Sequence, residues 1–279
     1  MKESGWRGKR LPVWISAPLV LGAFGLLVWR EIRRPLRSSV EPKLRRNVRN
    51  LAMAGISAAV VQLAAAPVLQ PLTRMAERRR WGLLRRLGLP VWIEVPLGVV
   101  LLDYSLYLWH VLNHRAPFLW RFHQVHHVDL DLDASTALRF HFGELTMSVA
   151  WNSAEVVLLG ISPLTLSVRQ TLLMISILFH HSNAELPEEV ERRLVSWVVT
   201  PRMHGIHHSA VQEETDSNWS SGLTVWDRLH GTLRLDVPQE EITIGVPAYR
   251  DPEEVTLPKI VALPFGEQRP TWELPPASS

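Results

Sequence analysis

Three histidine clusters could carry chemistry in this chain: His110-x3-His114, His123-x2-His126-His127 and His204-x2-His207-His208. Residues three and four apart share one face of an α-helix, so His110 and His114 stand one turn apart. In each HxxHH triplet, a step of ~100° per residue sets the second and third rings on either side of the first, and three imidazoles converge on a small volume. Two triplets and a pair supply eight imidazoles, more than one tetrahedral or octahedral ion accepts, which predicts a centre of two metal ions. A lone histidine is ordinarily a core or surface residue, and one HxxxH arises by chance. A repeated HxxHH in an apolar chain is not explained that way, because every unpaired imidazole there is costly. Bis-histidine haem ligation would need only two to four histidines and would leave the adjacent pairs without a role.

The elements that position these clusters are apolar helices. The chain has 279 residues, 47% of them hydrophobic, with twelve tryptophans, no cysteine and a formal net charge of +3. Charge-poor runs recur at Leu11 to Trp29, Leu51 to Leu69, Leu89 to Trp109, Leu145 to Ile161 and Pro163 to Phe179. The first is long enough to cross a bilayer and is too long for a signal-peptide core, so it reads as a retained anchor. The last two, split by Ser162-Pro163, read as a helical hairpin. Trp14, Trp29, Trp92, Trp109 and Trp151 lie near run ends, as interfacial tryptophans do. The fold class expected is therefore all-α, an integral membrane helical bundle with a histidine-rich dimetal cap on the cytosolic side.

Basic residues cluster in Arg30 to Arg49 and Arg74 to Arg86, with a smaller group before Pro12. They flank apolar spans, so anionic lipid headgroups are the expected partner and nucleic acid is not. The positive-inside rule puts the Arg30 to Arg49 loop, and after two crossings the first histidines, in the cytosol. Arg74 to Arg86 then falls on the opposite side, unless it is interfacial or the preceding run is re-entrant. Val190, Leu194, Trp197 and Val198 against Glu188, Glu189, Glu191, Arg192 and Arg193 suggest an amphipathic helix at the interface or packed on the bundle. Three segments follow: residues 1–88 with anchor helices and basic loops, 89–235 with the histidines, and a Pro-rich tail, 236–279, packed over the cytosolic face or partly disordered.

Asp103, Tyr107, His110 and His114 share one helix stripe. A carboxylate inside a membrane helix is a functional candidate by default, and Asp103 is expected either to accept the second N–H of a histidine ligand or to bond another helix.

The ordered series Asp103-x3-Tyr107-x2-His110-x3-His114, Phe122 to His127, Arg139 to Glu144, His181-x-Asn183, Pro201 to His208, and Asn218-Trp219 through Trp226 to Thr232 resembles the fatty acid hydroxylase and sterol desaturase superfamily. The resemblance covers roughly Leu89 to Leu235, and Ile242 to Phe265 is similar to the tail of bacterial members. It implies a membrane enzyme, in the bacterial inner membrane, with a di-iron site facing the cytosol that uses O2 and supplied electrons to hydroxylate or desaturate lipids. Carried over by position, the metal ligands are His110, His114, His123, His126, His127, His204, His207 and His208, with His181 as a ninth. Asp103, Tyr107, Glu144 and Asn218 become the candidate catalytic residues. The chain departs from the family at His141-Phe142, where His-Pro is common, at Trp219 for tyrosine and at His230 for phenylalanine. His230 then reads as an aromatic substitute, and His180, pointing elsewhere on its helix, as structural.

Neutral imidazoles suit iron and zinc. Iron is preferred because oxidation of an inert C–H bond is redox chemistry that zinc does not perform. With no Gly-x-Gly-x-x-Gly fingerprint and no cysteine for an iron–sulfur cluster, the electrons are expected from a separate ferredoxin, cytochrome or reductase. A membrane lipid is the expected substrate. A desaturase, a zinc-dependent lipid hydrolase using Glu144 or Asp216 as base, and a metal transporter are the competing readings.

Overall fold

The computed structural model describes residues 9–274. Of the basic group before Pro12, only Lys9 and Arg10 fall within them, and the last five residues of the tail lie outside. The helices are α1 (Val13–Arg33), α2 (Lys43–Val60), α3 (Ala66–Arg78), α4 (Leu83–Leu87), α5 (Val91–Arg115), α6 (Pro117–His127), α7 (Phe142–Glu155), α8 (Pro163–His181), α9 (Glu188–Leu194), α10 (Pro201–His207), α11 (Gln212–Thr215), α12 (Val225–His230) and α13 (Leu257–Ala262). Three helical stretches among the described residues are long and apolar enough to cross a membrane: Val13–Arg33, Lys43–Leu87 and Val91–Arg115. The chain is an all-helical membrane bundle capped at one end by the short helices.

Prolines place several of the joints. Pro67 has no N–H for the carbonyl four residues back, and the turn before it, Val61–Ala65, widens to a π-helix that links α2 to α3. Pro117 ends α5 and occupies the first turn of α6, so the chain bends between His114 and His123. A second π turn, Val156–Gly160, closes α7, and Ser162 caps α8 by accepting the Thr165 N–H at 3.1 Å. That corner is tight: Gly160 has φ +72°, and a Cβ there would come within 2.4 Å of the Trp81 carbonyl. Gly82 meets Gly160 from the other side, so neither position admits a side chain.

Both Trp14 and Trp92 are exposed at the helix ends remote from the histidines, as aromatic residues at the opposite membrane surface would be. Leu11 N donates to Ser167 Oγ at 2.7 Å, tying the start of α1 to the early turns of α8 at that end. Trp81, Gly82 and Arg85 lie beside the Gly160 corner, so this part of the Arg74 to Arg86 run sits away from the histidine cap.

The Arg30 to Arg49 run, expected at lipid headgroups, is divided. Arg46 and Arg49 are buried and enter an ion network with the loop that follows α6. Asp129 Oδ1 receives Arg46 Nε at 3.1 Å, Arg49 Nη2 at 3.0 Å and Arg139 Nη1 at 3.1 Å, while Asn50 Nδ2 reaches its other oxygen at 2.9 Å. Asp133 takes Arg46 Nη1 at 3.0 Å, and Asp131 accepts the Val40 and Glu41 N–H groups. The physical reason is charge balance: three carboxylates at alternate positions cannot be buried without cations.

The tail is packed. Val246, Tyr249, Val255 and Ile260 share a core with Met53, Val125 and Val128, and Trp272 stacks on Trp120 at 5.9 Å. The amphipathic segment is shorter than its spacing suggested, because α9 stops at Leu194 and Trp197 stays 75% exposed. Glu191 is buried and holds Arg202 N and Nε, both at 2.9 Å, which docks α9 on α10.

Burial alone would raise the Asp129 carboxyl, but Arg46, Arg139 and Arg49 overturn it and hold the group well below the usual carboxylate range. The folded value is thus below the unfolded one (~3.9), so its stabilisation is complete above about pH 5 and is lost as the pH falls below ~4. Asp129→Ala is expected to destabilise the fold by roughly 3–5 kcal/mol at neutral pH, because three buried guanidiniums lose their shared counter-ion. Denaturation of the detergent-solubilised protein, followed at neutral pH and at pH ~4, checks both the size and its decline with acid.

Candidate metal centre

The cap elements bring nine histidines together in two groups. His110, His114, His123, His127 and His207 form one; His126, His181, His204 and His208 form the other; within each, ring nitrogens lie within 4.8 Å of one another. Each HxxHH triplet is therefore divided. Its outer pair, spaced i to i+4, shares a helix face and serves one group, and its middle histidine is turned to the other. The triplets were expected to converge on one small volume; instead each bridges two. Rings of His127 and His208 stack at 4.3 Å, which sets the groups side by side.

In the first group the outer ring nitrogens are occupied. His110 Nδ1 meets the Trp219 carbonyl at 2.7 Å, His207 Nδ1 the Ser217 carbonyl at 2.8 Å, and His123 Nδ1 meets Glu144 Oε1 at 3.1 Å. A carbonyl oxygen only accepts, so His110 and His207 carry their proton on Nδ1 and leave Nε2 bare. The Nε2 atoms of His114, His123, His127 and His207 are buried without a hydrogen-bond partner. In the second group, His181 Nδ1 donates to the Ile177 carbonyl at 2.8 Å. Nε2 atoms then crowd together: His181 to His126 at 2.9 Å, His204 to His181 at 3.1 Å and His208 to His204 at 3.1 Å. Nitrogens ~2.0–2.1 Å from a common ion are spaced this closely, and a set of bare buried lone pairs has no other partner that satisfies them together. Both groups fit metal ions.

Burial pushes the His207 ring down to about 3 and drives His127, His204 and His208 well below their ordinary value. Each is neutral at physiological pH, the form that binds metal.

Of the candidate catalytic residues, Glu144 touches the site through His123. Asp103 takes the second of its two expected roles, bonding another helix and the turn before it: its Oδ2 accepts Trp226 Nε1 at 2.7 Å and Leu223 N at 3.0 Å. Gly222 packs against its carboxylate so closely that a Cβ would reach Oδ1 at 2.2 Å. Tyr107 meets Thr232 Oγ1 at 3.1 Å and stacks on His230 at 4.9 Å. Asn218 sits between the two carbonyls that orient His207 and His110, in the left-handed region at φ 54°. Its amide donates to the Met203 and Arg234 carbonyls, and Asp227 receives the N–H groups of Trp219 and Ser220. Asp103, Tyr107 and Asn218 thus hold the 217–232 loop that supplies those carbonyls.

Three histidines stay outside both groups. His141 caps α7, its Nδ1 accepting the Gly143 N–H at 2.9 Å, so its proton is on Nε2 and goes to the Val261 carbonyl at 3.1 Å. His230 is exposed, stacked on Tyr104 and Tyr107. His180, read as pointing away, instead lies 4.1 Å from the His204 ring on the wall of a cavity. That cavity, of about 560 Å³, is bordered by His110, His123, His126, His181 and His204 and runs between α2, α5, α7 and α8 over Leu106, Trp109, Leu145, Leu173 and Ile177. Sequence spacing did not reveal it, since its walls come from four separate helices.

Glu144→Gln removes the charged acceptor of His123 Nδ1, and metal affinity is expected to fall roughly 10–100-fold. Asp103→Asn keeps an oxygen for one of its two donors, so metal content is expected to change less. Metal titration of both purified variants compares them directly; equal losses would place Asp103 closer to the ligands than its bonds to Leu223 and Trp226 indicate.

Comparison with known proteins extends the geometry. Residues 95–232 match the model of the fatty acid hydroxylase family. The chain is 32% identical over 158 residues to ornithine lipid hydroxylase OlsE of Rhizobium tropici, covering 56% of this chain and 46% of that protein. It is 27% identical over 154 residues to cholesterol 25-hydroxylase of Rattus norvegicus, covering 54% and 50%. With alkylglycerol monooxygenase of Xenopus tropicalis it shares 29% over 167 residues, covering 58% and 35%. The matches thus span about half the length of these relatives or less. No solved structure matches. The matched region contains every histidine of the two groups, and the chain belongs to the fatty acid hydroxylase family.

Proposed function

We propose that the chain is a membrane-bound di-iron oxygenase that hydroxylates a C–H bond of a membrane lipid, using O2 and electrons from a separate ferredoxin, cytochrome or reductase. The observation that carries this reading is the shared wall: one apolar cavity, framed by membrane helices, is bordered by histidines of both metal groups. A lipid chain can enter such a space from the bilayer and lie against the centre. The names of the relatives, ornithine lipid hydroxylase, cholesterol 25-hydroxylase and alkylglycerol monooxygenase, favour oxygen insertion over alkene formation.

In this reading His110, His114, His123, His127 and His207 hold one iron and His126, His181, His204 and His208 the second. The irons, when bound, supply activation of dioxygen and removal of hydrogen from carbon. One oxygen atom enters the C–H bond and the other leaves as water, consuming two electrons and two protons. The chain has no cysteine, so it builds no cysteine-bound iron–sulfur relay of its own, in keeping with an external donor. Its own residues do three things. Glu144 and the Ser217, Trp219 and Ile177 carbonyls hold Nδ1 protons, fixing which nitrogen faces each iron. Trp109, Leu145, Leu173 and Ile177 exclude water and align the chain. Asp103, Tyr107 and Asn218 act as positioning residues beneath the 217–232 loop. Residues 89–235 supply all nine ligands, residues 1–88 one cavity wall and half of the ion network, and residues 236–279 a cover over α6. The histidine cap is assigned to the cytosolic face of a bacterial inner membrane.

Protein matured with iron is expected to carry close to two iron ions per chain, measured by elemental analysis; one ion, or a haem band accounting for the iron, would defeat the reading. His126→Ala and His207→Ala, one from each group, are expected to abolish turnover, while His230→Ala retains it. Lipid extracted after incubation under labelled dioxygen is expected to gain one heavy oxygen, and turnover without oxygen would overturn the assignment.

A further inference from the structure

The cavity has a second polar end. On α8, Arg169, Leu173, Ile177 and His181 recur every four residues and form one stripe facing the cavity. On α7, Glu144, Ser148, Asn152 and Glu155, spaced four, four and three apart, form another. The two helices run in opposite directions through the Gly160 corner, so their stripes form facing walls with like ends together. His181 and Glu144 stand at the metal end; Arg169 and Glu155 stand at the other. Twelve residues separate Arg169 from His181 and eleven separate Glu155 from Glu144, which at 1.5 Å per residue is ~16–18 Å. Leu106, Leu138, Leu145, Leu173 and Met174 lie between, with Ser148 and Asn152 the uncharged polar residues of the α7 stripe, so no charged side chain of either stripe stands between the two ends.

A charge at that depth must have a use or a partner. Glu155 and Asp103 are the carboxylates whose charge acts on Arg169, and among the described residues neither closes a direct ion pair with it. Asp103 is committed to Leu223 N and Trp226 Nε1, whereas Glu155 accepts from the Ser105 and Trp151 side chains and its carboxylate keeps lone pairs for a further donor. The residues left facing the cavity are a guanidinium, which only donates, and a carboxylate, which only accepts. A hydroxyl, which accepts at its oxygen and donates its proton, satisfies both. A carboxylate would suit Arg169 but meet Glu155 and Asp103, two negative charges against one positive. An unsubstituted hydrocarbon would leave both ends of the pair without a ligand partner.

Resting on the oxygenase reading, we propose that Arg169 and Glu155 bind a hydroxyl group of the substrate, so that the cavity takes an elongated apolar alcohol whose hydroxyl lies ~16 Å from the carbon presented to the histidines. Arg169 donates to the hydroxyl oxygen and Glu155 accepts its proton in a hydrogen bond. The pair then sets which carbon is oxidised, because it fixes the far end of the molecule.

The test uses the purified full chain in detergent, with tritiated hexadecan-1-ol as probe in a scintillation proximity assay and a protein-free control for micelle uptake. Unlabelled hexadecan-1-ol, hexadecanoic acid and hexadecane compete. The alcohol is expected to compete at least about tenfold better than the acid or the alkane, the discrimination given by hydrogen bonds to charged groups. Arg169→Met and Glu155→Leu are each expected to erase that preference with metal content unchanged. Equal competition by all three probes, preference for the acid, or a preference surviving in both variants would overturn the proposal. The wild-type comparison decides even if a variant fails to fold. Because the readout is binding, an inactive protein still returns an answer, and an active oxygenase without the preference sinks this inference alone.

Discussion

A buried neutral imidazole has one N–H and one bare nitrogen, and away from water each needs a partner. Nine such rings packed together approach that condition when bare nitrogens point inward at metal and protons point outward at fixed acceptors, as the Nδ1 atoms of His110, His123, His181 and His207 do. Much of the cap follows from supplying those acceptors. Ser217 and Trp219 offer carbonyls to His207 and His110, and the residue between them must turn the chain so that both carbonyls face the site. Asn218 does so with a left-handed backbone, which its amide stabilises by bonding Met203 and Arg234. Asp227 and Asp103 hold the flanking N–H groups. Carboxylates that look like candidates for catalysis are thus spent on holding a loop, and the loop is what keeps two imidazoles in register.

The same logic governs the junction between cap and membrane. Asp129, Asp131 and Asp133 follow directly after the first HxxHH, and their burial is tolerable because α2 delivers Arg46 and Arg49. The network anchors α2 against the histidine-bearing helices, and α2 in turn lends Ala54, Ser57 and Val61 to the cavity wall. The N-terminal segment is therefore a structural part of the site. Its charges lock the cap onto the bundle, while its other face lines the cavity.

A division of labour runs along α5, α7 and α8. Each has an end at the cap that contributes a ligand or a ligand's partner: His110 and His114, Glu144, and His181. Each then continues as a largely apolar wall, with charged residues returning at Arg169 and Glu155 on the hairpin. Helical periodicity makes this economical, since one stripe of a long helix can serve chemistry at one end and recognition at the other.

The sequence by itself determined the all-helical membrane bundle, the ligand types and the family, because apolar run length and histidine spacing are local properties that a helix converts directly into faces. Tertiary structure decided how the ligands were shared. Spacing alone shows that His123 and His127 lie on one face, but which group receives His126 depends on where α8 and α10 place His181, His204 and His208. It also decided the fate of Arg46 and Arg49, which on the chain are indistinguishable from the exposed arginines beside them and are turned inward by a carboxylate 80 or more residues away. Backbone carbonyls at Ser217, Trp219 and Ile177 left no trace in residue type, since every residue has one. The roles of His141 and His180 were hidden for the same reason: one caps a helix and the other faces the cavity, and only the packing of distant segments separates those outcomes.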